Sequence, residues 1–236
     1  MIKTPDELVL MRNAGRLLAQ VFEMLDRTPQ AGMTTLEADT LVDRYISVDL
    51  AARPASKGQY GYGHVLNCSI NQVVCHGVPS ADVTLKDGDI VNLDITLEKD
   101  GFIADASKEA MWKGIDAVRP GARLGDVGHA IERYAKRHGY SIVRDYCGHG
   151  IGREMHEEPA VPAFGRPGTG LVLREGMTFT IEPMLNQGSR RTVTLDDEWT
   201  VVTADGRLSA QFEHTVAVTA TGVEVLTLRA GERHAS

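Results

Sequence analysis

Two aspartates interrupt strands that are otherwise apolar. Asp94 lies inside Ile90-Val91-Asn92-Leu93-Asp94-Ile95, and Asp105 lies on the strand expected to return from a turn at Lys99-Asp100-Gly101. A Lys99-Asp100 loop makes the two direct cross-strand neighbours. An Asp100-Gly101 loop sets them diagonally on the same face. Either register brings the carboxylates within about 5–8 Å at Cβ, where like charges repel unless a cation sits between them. Glu182 follows the strand pattern Thr178-Phe179-Thr180-Ile181, and Glu213 stands in Gln211-Phe212-Glu213-His214-Thr215-Val216. His149 is embedded in Cys147-Gly148-His149-Gly150-Ile151-Gly152, where glycines let backbone crowd a site. Taken singly, each of these fits a solvated sheet face or a hydrogen-bonded loop histidine. Taken together, four carboxylates balance the charge of two divalent ions, and oxygen-rich ligation with one imidazole suits a two-metal hydrolytic site better than a structural zinc site. His76, after Val73-Val74-Cys75, and His156, in His156-Glu157-Glu158-Pro159, are further imidazoles in similar settings.

The elements that must position these groups are readable in outline. Thr4, Pro5 and Glu7 form a capping box with proline at the first helical position, and Leu8, Met11, Ala14, Leu18, Val21 and Leu25 recur at helical spacing until Pro29 and Gly32. A second helix is predicted over 35–48, facing inward through Leu41, Val42, Tyr45 and Ile46. Strands are predicted over 65–70, 73–76, 91–97 and 102–107, then over 142–144, 177–182, 199–203, 211–218 and 223–228. The plan repeats at an offset of 89 residues: Gly32/Gly121, Glu37/Asp126, Val42/Ile131, Asp43/Glu132, Arg44/Arg133 and Tyr45/Tyr134. This predicts one α+β domain over 1–236, built of two pseudo-symmetric halves of about 1–105 and 106–236. The copies are unequal, because far less chain precedes the second motif than the first.

Composition narrows the function. The 236 residues carry a formal charge of −7 without a Lys/Arg run, which disfavours binding to duplex nucleic acid. The odd, low count of three cysteines lacks a C-x-x-C pair and fits a reducing compartment. No apolar run reaches the length of a membrane span, and the N-terminus turns polar at once, so a cytoplasmic location is expected.

The ordered motifs resemble those of bacterial type I methionine aminopeptidases, which have the pita-bread fold. The match is carried by Val73-Val74-Cys75-His76-Gly77-Val78-Pro79, Val91-Asn92-Leu93-Asp94, Asp100-Gly101-Phe102 with Asp105 and Ser107-Lys108, Cys147-Gly148-His149-Gly150-Ile151-Gly152, His156-Glu157-Glu158-Pro159, Met177-Thr178-Phe179-Thr180-Ile181-Glu182-Pro183-Met184 and Ser209-Ala210-Gln211-Phe212-Glu213-His214-Thr215. The resemblance implies a curved antiparallel sheet in pseudo-two-fold halves and two divalent ions (Co, Mn, Fe or Zn). Asp105 and Glu213 would bridge the ions, Asp94 would bind one, and His149 and Glu182 the other. Glu182 would also serve as general base and acid. His76 and His156 would contact substrate and stabilise developing negative charge, and Tyr62 and Trp199 would line the substrate pocket. Asn71, Val73 and Ser209 match a monovalent-cation site. The implied activity is removal of the initiator methionine, preferably before a small second residue, from nascent polypeptide N-termini at the ribosome exit. The implied enzyme is monomeric.

Three departures from the family pattern stand out. Relatives carry additional residues between the positions of Asp105 and His149, a strand end and the first turns of a helix. Ser56, Gln59 and Asn67 stand where bacterial relatives commonly have Cys, Tyr and Cys. Met155 replaces a common aromatic. The polar substitutions make altered specificity one alternative. Others are an X-Pro-type or amidase relative on the same fold, a non-catalytic relative that binds ribosomes or RNA, and a cysteine hydrolase using Cys147 or Cys75. The last is disfavoured because Cys75 and His76 are adjacent on a strand and point to opposite faces.

Overall fold

The structure is a computed structural model and describes residues 2–106 and 111–232. Helix α1 spans Pro5–Arg27, and its capping box is formed: Thr4 accepts from the Glu7 amide while Glu7 accepts from the Thr4 amide. Helix α2 spans Thr35–Arg44, with an equivalent box between Thr34 and Glu37. It does not run on to residue 48 as an α-helix, because a π turn over Tyr45–Asp49 ends it. Strands β1 (Arg53–Pro54), β2 (Leu66–Ile70), β3 (Val73–Cys75), β4 (Val91–Lys99) and β5 (Phe102–Ala106) complete the first half. The second half holds α3 (Trp112–Ile115) and α4 (Leu124–Arg137), then β6 (Ser141–Ile142), β7 (Gly148–Gly150), β8 (Glu157–Val161), β9 (Thr178–Ile181), β10 (Met184–Asn186), β11 (Thr192–Thr194), β12 (Val201–Thr203), β13 (Ser209–Gln211), β14 (His214–Val218) and β15 (Val223–Val225).

A nine-stranded antiparallel sheet runs in the order β1-β4-β5-β14-β9-β7-β8, with β2 also on β4 and β15 also on β14. The helices cover one face. Ala14, Leu18, Val21 and Leu25 of α1 pack with Ile95, Leu97 and Ala104, while Val127, Ile131 and Ala135 of α4 pack with Ile115, Phe179, Ile181 and Val216. The repeat extends to backbone hydrogen bonds. The Gly32 amide donates to the Leu85 carbonyl and the Leu85 amide to that of Met33; likewise the Gly121 amide donates to the Leu173 carbonyl and the Leu173 amide to that of Ala122. At the start of α4 the Arg123 amide donates to the Asp126 carboxylate at 2.8 Å, at the same 89-residue offset as the bond from Thr34 to Glu37.

Two local readings are refined. The β4–β5 hairpin pairs Lys99 with Phe102 and Thr96 with Asp105, so the loop is Asp100-Gly101 and the diagonal register holds. Asp100 and Gly101 both have positive φ, the geometry that a two-residue hairpin turn requires. The predicted strand over 211–218 is two strands, with Phe212 and Glu213 between them. β13 pairs with β10 in a separate three-stranded sheet, whereas β14 pairs with β9 in the main one, so Glu213 sits where the chain changes sheets. Among the described residues, no helix is long and apolar enough to cross a membrane.

Candidate metal centre and substrate pocket

The five candidate ligands come from five places: β4, β5, β7, the end of β9 and the break between β13 and β14. Asp94 faces Asn67 across β2 and β4, and Asp105 stands on β5, whose Ala106 pairs with His214 of β14. Thr215 reinforces that seam, its hydroxyl accepting from the Asp105 amide at 3.2 Å and donating to the Asp105 carbonyl at 2.9 Å. His149 sits on β7 between two glycines that admit no side chain. A Cβ on Gly148 would lie 2.5 Å from the Thr180 carbonyl oxygen, and one on Gly150 would lie 2.3 Å from that of Glu158. The sequence places glycine there because neighbouring backbone approaches from both sides.

One ligand atom from each of Asp105, His149 and Glu213 lies within 4.8 Å of the others. Asp94 lies close enough to Asp105 for the two carboxyls to shift each other's ionisation. Glu182 Oε1 lies 3.5 Å from His149 Nε2 and accepts from the Thr180 hydroxyl at 2.9 Å. His149 Nδ1 bonds the Gly150 carbonyl at 3.0 Å, which leaves Nε2 toward the carboxylates. Burial raises Asp94 to about 6 and, with the charge of Asp94, raises Glu182 to about 8. Asp105 and Glu213 are pushed well above the carboxylate range, first by burial and then by the neighbouring carboxylates. Burial and the nearby His156 lower His149 to about 4. A cluster this costly in protein alone is the arrangement a divalent cation relieves. Glu213 Oε1 makes the same point, being buried without a hydrogen-bond partner among the described residues.

Sequence reasoning missed the supports. Gln211 Oε1 accepts from Asn92 at 3.3 Å, and the Gln211 amide favours the charged forms of Asp94 and Glu213. An amide on an alternating strand gives no signal of this kind until the register is known. Lys3, 7% exposed, pairs with Glu157 at 2.6 Å and ties the first residues to the segment carrying His156.

Above the cluster opens a cavity of about 450 Å³. Tyr62 and Trp199 meet at 4.9 Å between ring centroids, and the Tyr62 hydroxyl donates to the Leu66 carbonyl at 2.9 Å. Ser56, Gln59, Asn67 and Met155 also line the cavity. Ser56 donates to the Thr96 hydroxyl at 3.1 Å, so it has a partner within the wall, and Asn67 is the cross-strand neighbour of Asp94. His76 follows β3 with φ of 56°, a left-handed conformation that turns it off the strand, and its ring meets Tyr146 edge-on at 5.6 Å. Burial and His156 lower the pKa of His76, and burial lowers that of His156. Burial raises the Cys75 thiol well above its usual value and also raises Cys147, opposite to what a cysteine nucleophile needs. Asn71, Val73 and Ser209 lie apart from the cluster. The Ser209 amide donates to the Asn71 carbonyl at 2.9 Å, and the Asn71 side chain bonds Asp89 and the Ile90 amide.

A buried carboxylate cluster with one imidazole, in a cleft of a two-fold repeated sheet, defines a metallohydrolase. Comparison with known proteins agrees: the model of metallopeptidase family M24 matches residues 9–108 and 103–220. A methionine aminopeptidase of Salmonella typhimurium is 48% identical over 97% of this chain and 94% of its own length. The crystal structure of methionine aminopeptidase from Rickettsia prowazekii superposes with a TM-score of 0.93 at 44% identity, covering 97% of this chain and 99% of that one. A prolidase from Pyrococcus furiosus shares the fold at 22% identity, with a TM-score of 0.69 over 98% of this chain and 66% of its own. The chain belongs to metallopeptidase family M24, and within it to the methionine aminopeptidases. The Salmonella alignment runs over 247 positions, more than the 236 residues present, so the relative carries residues inside the matched span that this chain lacks. The two family-model matches meet at 103–108, at the end of β5 and before the four-residue α3.

Proposed function

We propose that this protein is a cytoplasmic, monomeric hydrolase of one catalytic domain, with halves of about 1–105 and 106–236. It removes the initiator methionine from nascent polypeptides as they leave the ribosome. The observation that carries the reading is the convergence of Asp105, His149 and Glu213 ligand atoms within 4.8 Å at the floor of the pocket. Asp105 and Glu213 would be shared by two divalent ions, Asp94 would complete one site, and His149 and Glu182 the other. When bound, such ions supply Lewis acidity toward the scissile carbonyl and make water nucleophilic near neutral pH.

The protein's own groups do the rest. Glu182, held by Thr180, takes a proton from the attacking water and returns it to the leaving amine. His76 and His156 donate hydrogen bonds where negative charge develops on the carbonyl oxygen. Tyr62, Trp199 and Met155 give the pocket an apolar body suited to methionine. The Ser56 hydroxyl is taken up by Thr96 of the wall, which supports retention of methionine specificity over an altered one. A monovalent cation at Asn71, Val73 and Ser209 would stiffen the loop before β3.

The test is release of amino acid from Met-Ala-Ser and from Ala-Pro peptides, with Mn or Co added and then with chelator. Metal-dependent release of methionine alone is expected. Absence of release from folded, metal-loaded protein, or preferential cleavage of the Ala-Pro peptide, would refute the reading.

A further inference from the structure

Tyr60 is an anomaly at the pocket mouth. It is an aromatic residue 73% exposed, so burial does not account for it. Its backbone is left-handed, at φ 50° and ψ 23°, between Gly58 at φ 90° and Gly61 at φ 87°. An aromatic side chain is uncommon in that region of backbone space. This conformation turns the ring toward His156: the planes lie 24° apart with centroids at 5.9 Å, and the Tyr60 hydroxyl is 3.4 Å from His156 Nδ1.

The surroundings of His156 leave two things for Tyr60 to control. The backbone beside it is anchored by the Lys3–Glu157 pair and by the Arg153 amide, which donates to Glu157 at 3.0 Å. The His149 ring approaches edge-on at 4.4 Å. What remains is the rotation of the imidazole and the choice of nitrogen that carries its proton. A phenol donating to Nδ1 settles both, because the proton must then reside on Nε2.

We propose that Tyr60 is a positioning residue for His156: its hydroxyl donates to Nδ1 and so presents Nε2–H as the donor into the site. The proposal rests on the aminopeptidase reading only for what that donor then contacts. Tyr60 joins the site from an exposed loop, and Gln59 beside it lines the same cavity.

The experiment compares wild type with Tyr60→Phe in the zinc-loaded protein, by long-range ¹H–¹⁵N correlation of the histidine side chains and by steady-state kinetics on Met-Ala-Ser. The wild type is expected to show His156 protonated on Nε2 alone, and Tyr60→Phe a mixture of tautomers. Loss of one neutral hydrogen bond should lower kcat about 3–10-fold with KM within about twofold. In a His156→Ala background, Tyr60→Phe should have no further effect on kcat. An unchanged tautomer in Tyr60→Phe, or an equal loss of kcat in the His156→Ala background, would overturn the proposal. A wild type that releases no methionine while the tautomer still shifts would refute the aminopeptidase reading and leave this one standing.

Discussion

The two halves of the molecule reach the same geometry by unequal means. In the first, α1 runs 23 residues and buries eight of them against the sheet, and the β4–β5 hairpin is zipped by five register pairs. In the second, α3 is four residues long, and among the described residues β5 meets β14 at Ala106 and His214, joined by the Thr215 side chain. Asp105 lies just before the end of β5, and Glu213 lies just across the seam. The unequal cover therefore leaves the carboxylates opposed. A metal site on facing strands depends on register more than on the helices behind them.

The comparison can be broken most directly at Asp105 and Glu213, the carboxylates proposed to be shared. Glu213→Gln should reduce activity by about 100-fold or more, beyond the 10–100-fold typical of groups behind the ligands. The same change should raise the melting temperature of the metal-free protein near neutral pH, because it removes one of the buried like charges. Kinetics and thermal melts with and without chelator check both, and a lowered metal-free melting temperature would contradict the electrostatic account.

Next in size is the cover. Leu18 of α1 and Ile115 of α3 are both fully buried. Leu18→Ala should cost about 2–5 kcal/mol, and Ile115→Ala should fall at or below the low end of that range because a one-turn helix can collapse into the space. Denaturant titration measures both, and equal costs would show the short half to be as rigid as the long one. At the seam, Thr215→Val should cost about 1–3 kcal/mol through the two unmet backbone groups of Asp105 and should weaken metal binding by calorimetry. Unchanged stability would mean that the β5–β14 seam holds without the Thr215 hydroxyl.

The smallest effect is the pH dependence. Folding raises Asp94 to about 6 and Glu182 to about 8, with burial the leading cause in each. Groups raised on folding contribute stability that is full below the ordinary carboxylate range and is lost as pH rises through their folded values. The metal-free protein should thus melt lower at about pH 8 than at about pH 5, and the gain on adding Mn should grow over that interval. A gain that shrinks with pH would contradict the cluster's electrostatics.

Much of this was legible in the sequence, for physical reasons. Carboxylates on apolar strands announce themselves, since burial of like charges needs compensation, and the capped helices and the 89-residue repeat follow from local chemistry. The hairpin register was open between two loops until the backbone placed Thr96 opposite Asp105. The break at Glu213 could not be read, because β13 and β14 look like one alternating strand and separate only through the sheets they join. Lys3, Gln211 and Tyr60 were silent because their partners, Glu157, Asn92 and His156, are far off in sequence.

The central claim is that opposed strands of the two proposed halves hold a shared metal site despite their unequal helical cover. Anomalous scattering from crystals of the Mn-loaded protein tests it most directly. Two peaks among Asp94, Asp105, His149, Glu182 and Glu213, with Asp105 and Glu213 common to both, are the result the account predicts. A single peak, or peaks that leave Asp105 or Glu213 unligated, would contradict it.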